Sequence, residues 1–371
     1  MDKLAVYLHW PFCLAKCPYC DFVSYPCANV DISEYEEKLL NDLVSSKQYW
    51  QDKIITSVFF GGGTPSLISS KTIEKIIDTL SVNFTNDVEI TMEANPATFD
   101  EVKLNEFRTA GINRLSLGAQ SFKDKNLNFL GRIYSEQQAQ TAATQVAKIF
   151  DNFSFDFMYG YQDLTDLIDD LQFAVNLGAK HISNYQLTLE PGTPFYAKFM
   201  RDKTNFDDID YMSHIEDFLK TYDINRYEIS NFSKQGFYSK HNLTYWNYGD
   251  YLGCGASAHG RLVIEGQKHA TTKYSNLKQW SDNIGKFEMN KILSNEEVLE
   301  EMIIVGLRKI EGIKFTELYR YVSNENLEKF ITKAKIKFLQ ENGLIFQKND
   351  KIQLTTDGLL KLNAVISFLM G

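Results

Sequence analysis

Nowhere do the 371 residues contain a run of uncharged apolar residues approaching the roughly 18 to 20 that a membrane-spanning helix needs. The N-terminal stretch MDKLAVYLHWPFC lacks the long apolar core and small-residue cleavage site of a secretory signal. Positive charge is also short, with 39 Lys and Arg against 48 Asp and Glu, a net charge of −9. That balance argues against nucleic acid as a main partner. These absences predict a cytoplasmic protein with no membrane span, and leave room only for peripheral contact with a membrane. What remains is an ordinary globular composition, 44% hydrophobic and 23% charged. The length suits one large domain and a smaller one.

Cysteine is scarce as well, yet three of the five fall within eight residues, in HWPFCLAKCPYCDFVSY (9–25). Cys13, Cys17 and Cys20 form a C-x3-C-x2-C run. In a reducing compartment, clustered cysteines are metal-binding or catalytic more often than disulfide-bonded. Three thiolates can hold three irons of a cubane iron–sulfur cluster and leave the fourth iron open. Structural zinc wants four protein ligands. Cys27 or His9 could supply the fourth, so spacing alone leaves zinc in competition.

Short β-rich runs alternate with helical patterns from the start of the chain. The strands are expected at 4–10, 55–62, 88–95, 113–121, 153–160 and 181–189. Between them lie helical stretches, one with Asp31 as N-cap and two closed by Gly111 and Gly178, where a left-handed C-cap is expected. Six such units predict an α/β fold with a parallel sheet and right-handed crossovers, a partial barrel or open curved sheet. Along the strands one parity is greasy (Val88, Ile90, Met92) and the other polar (Glu89, Thr91, Glu93), and Ser154 and Asp156 repeat the pattern. Side chains alternate faces, so a polar inner face implies a lumen that holds a ligand. The cysteine run, GGGTPS (61–66), Glu93, Gln120 and Asp156 then fall on strands or just beyond their C-terminal ends, where barrel chemistry collects.

The C-x3-C-x2-C run with Tyr19 before its last cysteine resembles the signature of the radical S-adenosylmethionine (SAM) superfamily. That resemblance implies a [4Fe–4S] cluster on Cys13, Cys17 and Cys20, its open iron chelated by the amino and carboxylate groups of SAM, and reductive generation of a 5′-deoxyadenosyl radical. Further stretches narrow the likeness: FFGGGTPSLI, EANPATF, RLSLGAQSF, LGR, EPGTPFY, YEISNF and HNLTYW. Together these are similar to the oxygen-independent coproporphyrinogen oxidase-like (HemN-like) group, and most closely to its HemW-type haem chaperones, over nearly the whole chain. The resemblance implies that Tyr7, Tyr19, Phe22, Gly62, Gly63, Thr64, Glu93, Gln120, Arg132 and Asp156 lie around cluster and SAM. Gly62–Thr64 would serve the methionine amino group and Arg132 the carboxylate. Glu93, Asp156 and Gln120 would serve the ribose hydroxyls or the sulfonium side.

Carrier and enzyme both stay open on the sequence. Oxidases of the group carry a further cysteine two residues after the third, and here that position is Phe22, so decarboxylation of coproporphyrinogen III is the alternative, not the leading reading. The leading reading is a haem chaperone with haem as cargo, haem-accepting proteins as partners and an electron donor for the cluster. His241, Asn242, Tyr245 and Trp246 match the HNxxYW pattern associated with haem binding, which makes His241 a candidate haem ligand against a packed structural histidine. His259 in the Gly-rich turn GASAHG could touch SAM or haem, or only cap the turn, and Cys27 and Cys254 read as incidental or packing. Two stretches depart from the family pattern: Ile133-Tyr134 after LGR, and GYQDL (160–164) after the fifth strand.

The βα rhythm is expected to stop near residue 275, dividing the chain into 1–275 and 276–371. The second part reads as helices, a hairpin and a last helix, a winged-helix-like domain opened by a Ser294/Glu297 capping box. From residue 294 onward, 11 Lys and Arg balance 11 Asp and Glu. Such a balance offers no electrostatic footprint for phosphates, so this domain reads as a lid or docking element.

Overall fold

The computed structural model describes residues 2–28, 30–202, 209–319, 327, 330–348 and 350–371. Six parallel strands form its centre: β1 (Lys3–Trp10), β2 (Ile54–Gly62), β3 (Phe84–Ala94), β4 (Arg114–Gln120), β5 (Phe153–Tyr159) and β6 (His181–Gln186). They lie side by side in chain order, as right-handed helical crossovers require. The crossovers include α1 (Ile32–Ser45), α2 (Ser70–Ser81), α3 (Glu101–Thr109), α4 (Asp124–Phe129), α5 (Glu136–Ile149) and α6 (Leu164–Asn176). Local chemistry sets their ends. Asp31 accepts the Ser33 and Glu34 N–H groups at 3.0 and 3.4 Å, Ser135 and Gln138 form a capping box, and Gly111 and Gly178 adopt φ of +109° and +85°.

The sheet does not close. Beyond β6 come β7 (Asn225–Arg226) and β8 (Asn231–Ser233), with β8 antiparallel to β6. On the far side of β1 the sheet continues through β9 (Tyr251–Cys254), β10 (His259–Ile264), β11 (Gln267–Thr272) and β12 (Met289–Ile292). The order is β12-β11-β10-β9-β1-β2-β3-β4-β5-β6-β8-β7, with the two end strands unpaired to each other. Leu8, Phe60, Met92, Leu117 and Phe155 on the outer face are fully shielded beneath the helices.

The extension carries the first body past the expected boundary at 275. Lys273 and Trp280 are buried in it, and β12 still pairs with β11. A second core gathers Leu293, Leu299, Ile303, Ile336, Leu339 and Val365, and takes in Tyr248 and Ala270 from the extension. Its helices include Asn295–Gly306, opened by the Ser294/Glu297 capping box, Lys333–Glu341 and Leu362–Met370. Strands Ile313–Lys314, Lys351–Leu354 and Ile345–Lys348 form its small sheet. The helical stretches expected at FTELYRYV and NLEKFITKAKIKFLQENG lie partly outside the described residues. No helix among the described residues is long and apolar enough to cross a membrane.

Candidate functional site at the C-terminal rim of the sheet

The inner face of the sheet has two ends of different character. At the N-terminal end a short helix, α7 (Lys240–Trp246), packs against β2. The Glu89 carboxylate on β3 accepts the N–H groups of Lys240 and His241 at 3.0 and 3.1 Å, a charge placed where helix dipoles favour it. His241 is fully buried, with Nδ1 2.9 Å from Ser57 Oγ and Nε2 2.7 Å from Tyr245 Oη. Its ring also stacks on Phe59. Burial beside Arg114 pushes its pKa down to about 3, so the ring is neutral. The HNxxYW segment thus plugs this end of the sheet, with both His241 nitrogens within hydrogen-bond reach of a hydroxyl. His181 is held in the same way by Ser154 Oγ and Tyr227 Oη.

At the C-terminal end the cysteine run follows β1. Parallel pairing of Phe12 with Tyr25 and Cys13 with Pro26 pinches the run into a loop. The Pro18 carbonyl accepts the Phe195 N–H at 3.0 Å, and Tyr19 packs on the Phe195 ring. Cys13, Cys17 and Cys20 are half-buried. Burial pushes the Cys13 thiol up, against the Thr64 hydroxyl beside it. Among the described residues no three His, Cys, Asp or Glu converge as ligands of one metal ion. A cubane, with each thiolate on a different iron, does not need them to. Phe22 is 62% exposed, and its carbonyl accepts from Lys16 Nζ at 3.1 Å.

The other expected residues gather beside this loop. Gly62 has φ +117°, and a Cβ there would lie 2.5 Å from the His9 ring, so only glycine fits. Its N–H donates to Glu93 Oε2 at 3.1 Å. Burial pushes the Glu93 carboxyl up to about 8, with Asp156 nearby adding to the rise. Asp156 accepts from Ser116 Oγ at 2.9 Å and Ser154 Oγ at 3.2 Å, and burial raises its carboxyl too. Tyr7 Oη sits 3.0 Å from His9 Nδ1. Gln120 follows a register shift in β4 and takes φ +65°, strain of the kind stored at functional sites. Tyr134, where the chain departs from the family pattern, donates to the Gly118 and Ala119 carbonyls at 2.9 and 3.0 Å and so holds that irregularity.

Arg132 hydrogen-bonds Tyr19 Oη and lies over the Tyr19 and Tyr134 rings, while its Nε is buried with no partner. A small cleft joins Arg132 to Cys17, Thr64, Asn95 and Thr98. A buried orphan donor beside half-buried thiols suits a carboxylate, so these residues fit a cluster-bound amino acid. The sequence singled out neither Asn95 nor Thr98, though both stand just past Glu93. It also missed Arg114, which shares the parity of Ser116 and whose charge acts on both Glu93 and Asp156. Tyr185 lies beside the carboxylates of Asp156, Glu228 and Glu93.

Residues 7–174 match the Radical SAM superfamily and residues 293–360 the HemN C-terminal domain. The chain is 35% identical to the heme chaperone HemW of Buchnera aphidicola subsp. Schizaphis graminum, covering 100% of this chain and 99% of the relative. It is 32% identical to the heme chaperone HemW of Escherichia coli K12, over 100% of this chain and 99% of that protein. Its fold is similar to that of E. coli coproporphyrinogen III oxidase (HemN), with a TM-score of 0.80 at 20% identity, over 99% of this chain and 90% of that one.

Proposed function

The chain belongs to the HemW family within the radical SAM superfamily, and from that membership and the rim geometry we propose that it binds haem and hands it to acceptor proteins. Radical SAM membership implies a [4Fe–4S] cluster and SAM. Cys13, Cys17 and Cys20 hold the cluster. Gly62 and Thr64 serve the amino group of SAM, and Arg132, with its spare Nε, the carboxylate. Glu93, Asp156 and Gln120 line the neighbouring wall, where ionised carboxylates would oppose the cationic sulfonium. The chemistry available from such a pair is one-electron reduction of the sulfonium, which calls for an electron-donating partner.

The observation that carries the carrier over the decarboxylase is Phe22, which stands where the oxidase group places its further cysteine. The inner wall supports the same choice. Glu89, Glu93 and Asp156 face it, and its guanidinium, Arg114, is 2% exposed. The test is an anaerobic haem titration of cluster-loaded protein, followed by mixing with an apo-haem protein. Stoichiometric Soret absorption that moves to the acceptor is expected. Failure to bind haem, with SAM-dependent CO2 release from coproporphyrinogen, would establish the oxidase instead.

A further inference from the structure

Strand β4 leaves the regular ladder near its C-terminal end. Leu117 pairs with Phe155 and Gln120 with Phe157, so three steps along β4 answer two along β5. The extra residue makes a bulge, a device that re-aims a side chain beside a site. Gln120 takes φ +65°, and the Ser121 N–H donates to the Ala119 carbonyl at 2.8 Å. That bond closes a γ-turn of the rare, strained hand around Gln120. Gly118 leaves room for it, since a Cβ there would lie 3.0 Å from Gln120 Nε2.

A strained turn persists only where its surroundings hold it. Past the turn, the buried Asp170 accepts from Ser121 Oγ and from the Phe122 N–H at 2.8 Å. Before it, the Tyr134 hydroxyl shares its proton between the two carbonyls the bulge frees, Gly118 at 2.9 Å and Ala119 at 3.0 Å. Burial pushes that hydroxyl up to about 12 against the opposing charge of Arg132, so it stays a donor. The Tyr134 ring also backs Arg132, whose guanidinium carbon lies 5.9 Å from the ring centre. Gly131, at φ +68°, packs on the cysteine loop, where a Cβ would stand 2.7 Å from Pro18 Cδ. The short segment 131–134 therefore meets the cysteine loop, carries the guanidinium and ties down the bulge.

We infer that Tyr134 is a positioning residue for SAM, its hydroxyl fixing the bulge that aims the Gln120 side chain at the cofactor. The inference rests on the reading that places SAM beside Gln120 and Arg132. Tyr134 acts through Gln120 and is not itself a SAM contact. Ile133-Tyr134 is one of the two stretches that depart from the family pattern, so the device belongs to this chain's own sequence. Without the hydroxyl, two carbonyls lose their shared donor, and one of the two bonds is fully buried. The strain at Gln120 is then free to relax toward the regular ladder, which turns its amide away from the site.

The test is anaerobic calorimetry of SAM binding to the cluster-loaded full chain in wild type, Tyr134→Phe, Gln120→Ala and the double variant. Tyr134→Phe keeps the ring behind Arg132 and removes only the hydroxyl. It is expected to weaken SAM binding about three- to tenfold, with the visible absorption of the cluster retained. Gln120→Ala is expected to weaken binding at least as much. The double variant is expected to bind no more weakly than Gln120→Ala, because the hydroxyl acts through that side chain. A merely structural role would make the two losses add, and additive losses overturn the inference. Wild-type affinity in Tyr134→Phe with a weakened Gln120→Ala also overturns it, and leaves the SAM site where it is. Wild-type affinity in Gln120→Ala removes Gln120 from the SAM site and the inference with it. Should Tyr134→Phe fail to take up the cluster, Tyr134→His, a shorter donor, goes through the same cycle with the same coupling expected.

Discussion

The two ends of the same parallel strands teach different things. At the N-terminal end, the two buried histidines and Glu89 are spent on neighbouring polar groups. His241 and His181 use both nitrogens, and Glu89 caps the plug helix. At the C-terminal end the same residue types are held but left with spare capacity. Arg132 keeps an unpartnered Nε, Glu93 an elevated pKa and Gln120 a strained backbone. Satisfied polar networks rigidify a core, and unsatisfied ones await a ligand.

The largest effect expected at the open end is all-or-none. Replacing any one of Cys13, Cys17 and Cys20 with Ala abolishes the visible absorption of the reconstituted cluster. Retention in all three variants would end the cluster assignment.

Beneath helix α1, where Asp42 accepts from Lys273 Nζ, Gly285 N and Gly255 N within 2.9 Å, Asp42→Asn strands the fully buried Lys273 ammonium. A loss of about 3–5 kcal/mol is expected in urea unfolding. A loss under about 1 kcal/mol would mean that Asp42 does not fasten the extension to α1. Arg132→Ala, by contrast, is expected to weaken SAM binding by about 2–4 kcal/mol with little change in unfolding. Calorimetry showing wild-type affinity removes Arg132 from the site.

The smallest effect sharpens the comparison through pH. Unfolded Glu93 ionises above its ordinary 4.5, whereas the folded carboxyl keeps its proton up to about 8. Between those values the folded state binds more protons, so apo-protein stability falls as pH rises. Glu93→Gln flattens that slope, and an unaltered slope would mean Glu93 is solvated and ionised like a surface carboxylate.

Much of the frame was legible. The expected strands match β1 to β6 within a few residues, because period-two alternation and capping residues are local signals. The start of β3 is the largest early miss, at Phe84 rather than 88, where a register shift opposite Thr56 breaks the pattern. The expected end of the first body at 275 came too early, because β9 to β12 are short and rich in glycine or polar residues, with little alternation to read. The motif around His241 pointed to haem, and its sequence could not show that the hydroxyls of Ser57 and Tyr245, from opposite sides, lie within hydrogen-bond reach of the two ring nitrogens.

The sequence by itself determined the spacing of the cysteine run, the six-fold βα rhythm and the family, since each depends on order along the chain. Only the tertiary structure decided which polar groups are spent and which are left open. Hydrogen-bond saturation depends on neighbours far apart in the chain: His241 meets Ser57 across 184 residues, and Gly255 meets His9 across the junction of β1 and β9. No periodicity records such meetings, because they arise when the extension folds back onto the first strand.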